Sequence, residues 1–136
     1  MSRLTALILS AVLASGCGVF DDPSPNTPTS QTPTETFSGT LAVAGSNVFS
    51  FTVKQAGSVS VTLVSLSTPS PVAVSLGFGT FSQNTTCKVT SSTLSVLAGS
   101  TPQMTVTVDP GTFCVNLSDA GNLTASAAFT INIAHS

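Results

Sequence analysis

The chain is poor in charge, because its 136 residues include three basic and five acidic side chains, or 6% of the total. In an ordinary globular protein roughly a quarter of the residues are charged. Electrostatic binding of nucleic acid needs clustered lysine and arginine, so this class is excluded. Tryptophan and tyrosine are absent, which removes the usual platforms for stacking on sugars. One histidine and few carboxylates provide little material for a metal site or acid–base catalysis. We expect no metal and no cofactor.

The first 16 residues have the pattern of an export signal. Arg3 gives a positive start, and residues 4–14 form a mainly apolar run. This run is shorter than the roughly 20 residues that a membrane span needs, but it suits the core of a signal peptide. The residues that follow, Leu13-Ala14-Ser15-Gly16-Cys17, resemble the lipobox of bacterial lipoproteins.

The lipobox resemblance implies cleavage between Gly16 and Cys17 and a lipid on the Cys17 thiol, which would anchor the protein to a membrane. Ala14 stands where the commonest pattern has leucine. Gly18 replaces the aspartate that marks inner-membrane retention in enterobacterial lipoproteins, and this favours the outer membrane, on its periplasmic or its surface face. The alternative is an ordinary secretory signal, cut between Ala14 and Gly16, that leaves Cys17 as a free thiol.

The three cysteines divide in a way that fits an exported lipoprotein. If Cys17 carries lipid, Cys87 and Cys114 remain, and such a pair usually forms a disulfide in an oxidising compartment. The bridge would close a loop of about 27 residues and stabilise the fold by about 3 kcal/mol in the chain-entropy model. The alternative is a pair of unlinked, buried thiols.

A spacer follows the predicted anchor. Residues 17–36 contain four prolines, many threonines and one aromatic residue, a composition that cannot bury enough surface to offset the entropy of ordering. We expect a disordered tether with a reach of roughly 50–60 Å in polyproline II conformation. The folded domain is then expected at residues 37–136.

From Phe37 onward the hydrophobic residues recur with a period of two. Strict alternation of β-branched residues predicts antiparallel strands that are half buried on a core. Turn sequences such as Asp109-Pro110-Gly111 and 119–122 separate them. The pattern predicts an all-β protein, an antiparallel β-sandwich of about eight strands with serine and threonine facing outward. The clearest alternating stretches are residues 48–53, 58–63, 72–78, 104–108, 113–117 and 129–133.

The order of these pieces resembles the bacterial pre-peptidase C-terminal domain. The resemblance is carried by Phe37-Ser38-Gly39-Thr40-Leu41, by residues 49–53 and 57–63, by Pro110-Gly111-Thr112-Phe113-Cys114-Val115, and by residues 119–123 and 129–133. It implies a jelly-roll-like β-sandwich, which in that family is often appended to secreted proteases.

Two properties of that family are not expected here. In that family the domain often accompanies a protease, whereas no protease accompanies it in this chain. Some relatives bind calcium through clustered acids, whereas the acids of residues 37–136 are Asp109 and Asp119, both in turn sequences. We therefore expect no calcium site.

Catalytic constellations are not evident. His135 is the chain's one histidine, so no second histidine is present for a triad, and no Gly-x-Ser-x-Gly elbow occurs. Its penultimate position predicts a solvent-exposed side chain at a frayed end. Asp109 and Asp119 could form a carboxylate pair, but their neighbouring glycines favour roles in turns. We therefore expect no enzyme activity.

The sequence predicts a lipid-anchored protein of the bacterial envelope that presents a small, non-catalytic interaction module. A protein of the envelope is the favoured partner. Phe81 is a candidate for apolar contact, whereas Phe78 continues an inward-facing set and is expected in the core. The alternatives are a structural, coat-like lipoprotein without a discrete ligand and an accessory domain of secreted peptidase systems. A contiguous Ser/Thr face would favour the coat, and an exposed phenylalanine-centred patch would favour binding.

Overall fold

The computed structural model describes residues 32–82 and 86–136, and within these ranges the chain is all-β. The antiparallel β-sandwich that the alternation predicted is confirmed. The eight strands are β1 (Thr34–Leu41), β2 (Ser46–Val53), β3 (Gly57–Leu66), β4 (Val74–Phe81), β5 (Cys87–Val96), β6 (Met104–Val108), β7 (Gly111–Ser118) and β8 (Ala127–Ala134).

The strands form two four-stranded antiparallel sheets. The first sheet has the order β1-β8-β3-β6, and the second has the order β2-β7-β4-β5. Apart from the β4–β5 hairpin, each connection crosses from one sheet to the other. This is the strand order of a jelly roll, in which two Greek keys interlock. The jelly-roll-like arrangement expected from the sequence is therefore present.

The core lies between the sheets and is built from the inward residues of each alternating strand. Phe51, Phe78 and Phe113 form one aromatic cluster, with ring centroids 5.5–6.2 Å apart. Phe49 contacts both Phe37 of β1 and the buried Phe129 of β8. Phe78 is 2% exposed, so its predicted place in the core is confirmed. Aliphatic side chains from both sheets fill the rest of this layer.

The folded domain begins before the predicted boundary. We expected residues up to 36 to belong to the tether, but β1 starts at Thr34 and pairs with β8 from Thr34↔Ala134 onward. The backbone of Pro33 also accepts a hydrogen bond from the N–H of His135. The boundary at Phe37 was wrong because polar residues at the start of an edge strand read like linker. The other expectations for residues 1–31 lie outside the described residues.

Strand β5 was not among the alternating stretches, and its geometry explains why. Its pairing with β4 contains two register shifts, at Val74/Leu76 and at Phe78/Gly79, so no single alternation runs along it. A side chain at Gly79 would overlap the backbone carbonyl of Lys88. At Gly77, a side chain would approach Val89 to 3.1 Å. The two glycines thus let β5 pass closely over the outer face of β4.

Candidate functional site

An imidazole and a carboxylate, from His135 and Glu35, meet where β1 begins and β8 ends. The Nε2 atom of His135 lies 2.7 Å from Oε1 of Glu35. An ionised carboxylate can only accept a hydrogen bond, so Nε2 carries the hydrogen. The Nδ1 atom lies 3.5 Å from the carbonyl oxygen of Ser136. The imidazole also packs on Phe51, with centroids 5.3 Å apart.

The expectation that His135 is a solvent-exposed tail residue is wrong. The residue is 5% exposed, because it continues the inward set of Phe129, Ile131 and Ile133 with the same period of two. That periodicity was visible in the sequence and could have identified His135 as a core position. Glu35 was assigned to the tether and was missed for the same reason as the start of β1.

An open cavity of about 470 Å³ lies beside this pair, and we call it the edge groove. It runs along one side of the sandwich, where β1, an edge strand of the first sheet, lies over β2, an edge strand of the second sheet. One carboxylate, one ammonium group and three hydroxyl groups line it over an aromatic floor, so it can bind polar groups of either charge. Its principal lining residues are Glu35, Ser50, Phe51, Thr52, Lys54 and His135.

A second cavity, of about 310 Å³, lies at the other end of β8. It is formed by the β3–β4 connection, including Thr68 and Val72, and by the β7–β8 connection, including Asn122. The Asn122 side chain donates a hydrogen bond to the carbonyl of Ala73, at 3.0 Å, and so joins the two connections. The lining contains no charged side chain. This cavity therefore provides hydroxyl and backbone groups without acid–base chemistry.

Cys87 and Cys114 form a disulfide, as predicted, with their Cα atoms 5.8 Å apart. Cys114 lies in β7 and points away from the core. It is nevertheless fully buried, because β5 covers it. The bond joins the start of β5 to β7 across β4. Cys17 and the expected cleavage position at Gly16 lie outside the described residues.

Phe81, the candidate apolar contact, lies at the end of β4 opposite Cys87 and is half-buried. The larger exposed hydrophobic side chains are elsewhere. They are Val43, Val48, Val64, Val89 and Leu97, which are 40–52% exposed. Val48 and Val64 are outward residues of β2 and β3 and leave the alternation of those strands intact, whereas Val43 and Leu97 lie in connections between strands.

Both aspartates lie in connections between strands, and the predicted turn role is confirmed for Asp119. Asp109 is an exposed residue in the β6–β7 connection. The Asp119 carboxylate accepts hydrogen bonds from the backbone N–H groups of Ala44, Gly121, Asn122 and Leu123, at 2.8–3.1 Å. The bond from Ala44 is the largest cause that lowers the pKa of Asp119, and partial burial opposes it.

Across residues 32–82 and 86–136 there is no group of three histidine, cysteine, aspartate or glutamate side chains placed to hold a metal ion. The same ranges include no helix that could cross a membrane. No protein-family model matches the chain, and no curated protein matches it.

Proposed function

We propose that the chain is a lipid-anchored protein of the bacterial envelope whose β-sandwich serves as a non-catalytic interaction module. The observation that carries this proposal is the pairing of the cysteines. Cys87 is bonded to Cys114, so Cys17 is the one cysteine left over, and it stands in the sequence that resembles a lipobox. The disulfide itself suits an oxidising compartment outside the cytoplasm.

The start of β1 supports presentation of the domain at a distance from the membrane. Between Cys17 and Thr34 lie 16 residues, which span at most roughly 50–60 Å when fully extended. The edge groove adjoins the same end of β1. A partner bound there would approach the domain from the side at which the anchor enters. Gly18 favours the outer membrane, and the lack of tryptophan and tyrosine favours a protein partner over a sugar.

The non-catalytic character rests on how the polar groups are used. The Glu35 carboxylate and His135 Nε2 are bonded to each other, and the Asp119 carboxylate accepts four backbone hydrogen bonds. Each of these interactions holds two segments of backbone together. We therefore assign these groups to the fold and to recognition. The resemblance to the pre-peptidase C-terminal domain belongs to the same proposal, since both have a jelly-roll-like sandwich.

One observation favours the coat-like alternative, and it concerns the outer face of the first sheet. Hydroxyl side chains lie side by side there, because Ser38 is opposite Thr130, Ser58 is opposite Thr107 and Ser60 is opposite Thr105. We call this surface the hydroxyl face. It forms a contiguous polar surface over four strands, with serine or threonine from each. Its members are Thr36, Ser38 and Thr40 of β1, Thr130 of β8, Ser58, Ser60 and Thr62 of β3, and Thr105 and Thr107 of β6.

Metabolic labelling with a palmitate analogue tests the anchor. We expect the wild-type protein to carry the label and Cys17→Ser to lose it, because a hydroxyl group cannot form the thioether. A variant with both Cys87→Ala and Cys114→Ala provides the matched control and should keep the label. Label that persists in Cys17→Ser, or a wild-type protein without label, would contradict the lipoprotein proposal.

A further inference from the structure

The described part of the chain has four edge strands, namely β1 and β6 in the first sheet and β2 and β5 in the second. An edge strand presents unpaired backbone N–H and C=O groups that can pair with another chain. Natural proteins protect such edges with short strands, prolines, charged side chains that point inward, or bulges. The four edges differ sharply in these features.

Three of the edges are protected. Strand β1 carries Glu35, an inward-pointing charge bonded to His135. Strand β6 has five residues, Met104–Val108, and prolines stand on either side of it at positions 102 and 110. Strand β5 has two register shifts and a lysine at its second position. Each feature disfavours a long, regular ladder with another strand.

Strand β2 has none of these protections. It has eight residues, Ser46–Val53, without charge, proline or glycine. Its pairing with β7 is regular from Ser46↔Ser118 to Val53↔Gly111. Within the described residues no strand pairs with its other edge. Val48, on its outward face, is 46% exposed. These are the properties of an edge that accepts a partner strand.

We propose that β2 pairs antiparallel with β2 of a second copy of this chain, and so joins the two second sheets into one continuous sheet. The pairing is centred on Ser50, which lies opposite its own counterpart. Val48 then lies opposite Thr52 of the other copy, and Phe49 lies opposite Phe51. Pairs of aromatic residues and of β-branched residues are favourable across antiparallel strands.

The charges near this edge are compatible with a second copy. Lys54 follows β2, and in this register it lies opposite Ser46, so no like charges meet. Residues 32–136 carry two lysines and three acids, and a small net charge opposes self-association weakly. The chain's own segment before β1 is a poorer partner for this edge. It has prolines at 23, 25 and 28, which lack the N–H that a continuous ladder requires. The pairing does not depend on the lipid anchor, so labelling of Cys17 and the test below can fail separately.

Cysteine crosslinking in the full-length chain tests the register. Two differently tagged copies, one with Val48→Cys and one with Thr52→Cys, are co-expressed, oxidised and separated without reductant. We expect a disulfide between the two tags well above the signal from the wild-type protein. Val48→Cys alone should stay near background, because the two Val48 positions are about 14 Å apart in this register, beyond the roughly 7 Å limit between disulfide-linked Cα atoms.

A charge variant provides the second arm. Ser50→Lys would place two like charges directly opposite each other, so it should abolish crosslinking when added to both tagged copies. Ser38→Lys, on the exposed outer face of β1, is the matched control and should leave crosslinking unchanged. Equal crosslinking in mixed and single-variant samples, equal loss in the two lysine variants, or a crosslinked product with the mass of another protein would overturn the proposal. Intact Cys87–Cys114 in each variant shows that the domain is folded.

Discussion

Asp119 shows how one carboxylate can organise two connections. Its Oδ1 atom accepts the hydrogen bonds of its own turn, from Gly121, Asn122 and Leu123, and its Oδ2 atom accepts the bond from Ala44 in the β1–β2 connection. Ala44 and Gly121 have φ angles of 54° and 91°, in the left-handed region that costs energy for a residue with a side chain. The carboxylate thus stabilises backbone conformations that the local sequence alone would disfavour for Ala44.

The titration of Asp119 predicts a pH dependence of stability. Its pKa in the folded protein is below the ordinary value of 3.8, so its contribution is present above about pH 4 and is lost as the pH falls through the folded pKa. We expect wild-type protein to be more stable than Asp119→Asn near pH 6, and the difference to shrink between about pH 5 and pH 2. Urea unfolding at several pH values measures it.

The matched control for Asp119 is Asp109→Asn, which changes an exposed aspartate in the β6–β7 connection. This variant should alter stability little, because the Asp109 side chain is exposed. A constant difference between wild type and Asp119→Asn from pH 6 to pH 2 would show that the carboxylate's charge has no part in the turn.

The sequence indicates the turn at Asp119 directly, and its period of two places His135 among the inward residues, but it does not identify the partners of the His135 ring. A glycine two residues after an aspartate indicates a turn whatever the tertiary structure, because the bonds of the turn are local. The burial of His135 depends on Glu35 and Phe51, which are 100 and 84 positions away in the chain. The edge groove is formed by the same distant residues, so a local sequence pattern does not predict it.

Strand β1 is an edge strand with β8 as its one partner in the described sheet, so side-chain contacts add to what a single ladder provides. Its start is held by the Glu35–His135 bond and by the backbone bond from His135 to Pro33. We expect His135→Ala to lower the free energy of unfolding by about 1–3 kcal/mol, since a buried ring and its hydrogen bond are lost. Amide hydrogen exchange should rise first in residues 34–41.

A control for this element uses another hydrogen bond between the same two strands. The Thr36 hydroxyl donates to Asn132 Oδ1 at 2.8 Å, but this pair lies on the exposed outer face. Thr36→Ala should therefore cost less than about 1 kcal/mol. Equal losses for Thr36→Ala and His135→Ala, or unchanged exchange in β1 when His135 is replaced, would contradict a special role for the Glu35–His135 pair.

The predictability of each strand follows from how it is buried. Strands β2, β3, β7 and β8 bury one face against the other sheet, so their alternation was readable directly. Strand β5 buries the Gly77 and Gly79 side of β4 as well as its own inward residues, and its register shifts break the period. The strand order of the two sheets is a property of pairing between distant segments, which alternation does not encode.

The whole molecule combines a nearly uncharged surface with a conventional apolar core. The hydroxyl face keeps the first sheet wettable without lysine or glutamate, and this removes the repulsion that separates copies of most soluble proteins. Strand β2 likewise has no charged side chain, so its edge is not protected against pairing with another strand. A sandwich with one open edge and one polar face can therefore associate through β2 while the hydroxyl face stays in water.

The last contribution at this scale is the disulfide, which ties the outer layer of β5 to β7. It closes a loop with a sequence separation of 27, for which the chain-entropy model gives about 3–4 kcal/mol. We expect the variant with Cys87→Ala and Cys114→Ala to melt roughly 10–25 °C below wild type, as that energy implies for a domain of about 100 residues. Reductant should lower the wild-type melting temperature by a similar amount and leave the variant unchanged. If reduced wild-type protein, verified by mass, melts with the oxidised form while the variant melts lower, the loss belongs to packing around Cys114 and the link itself contributes little.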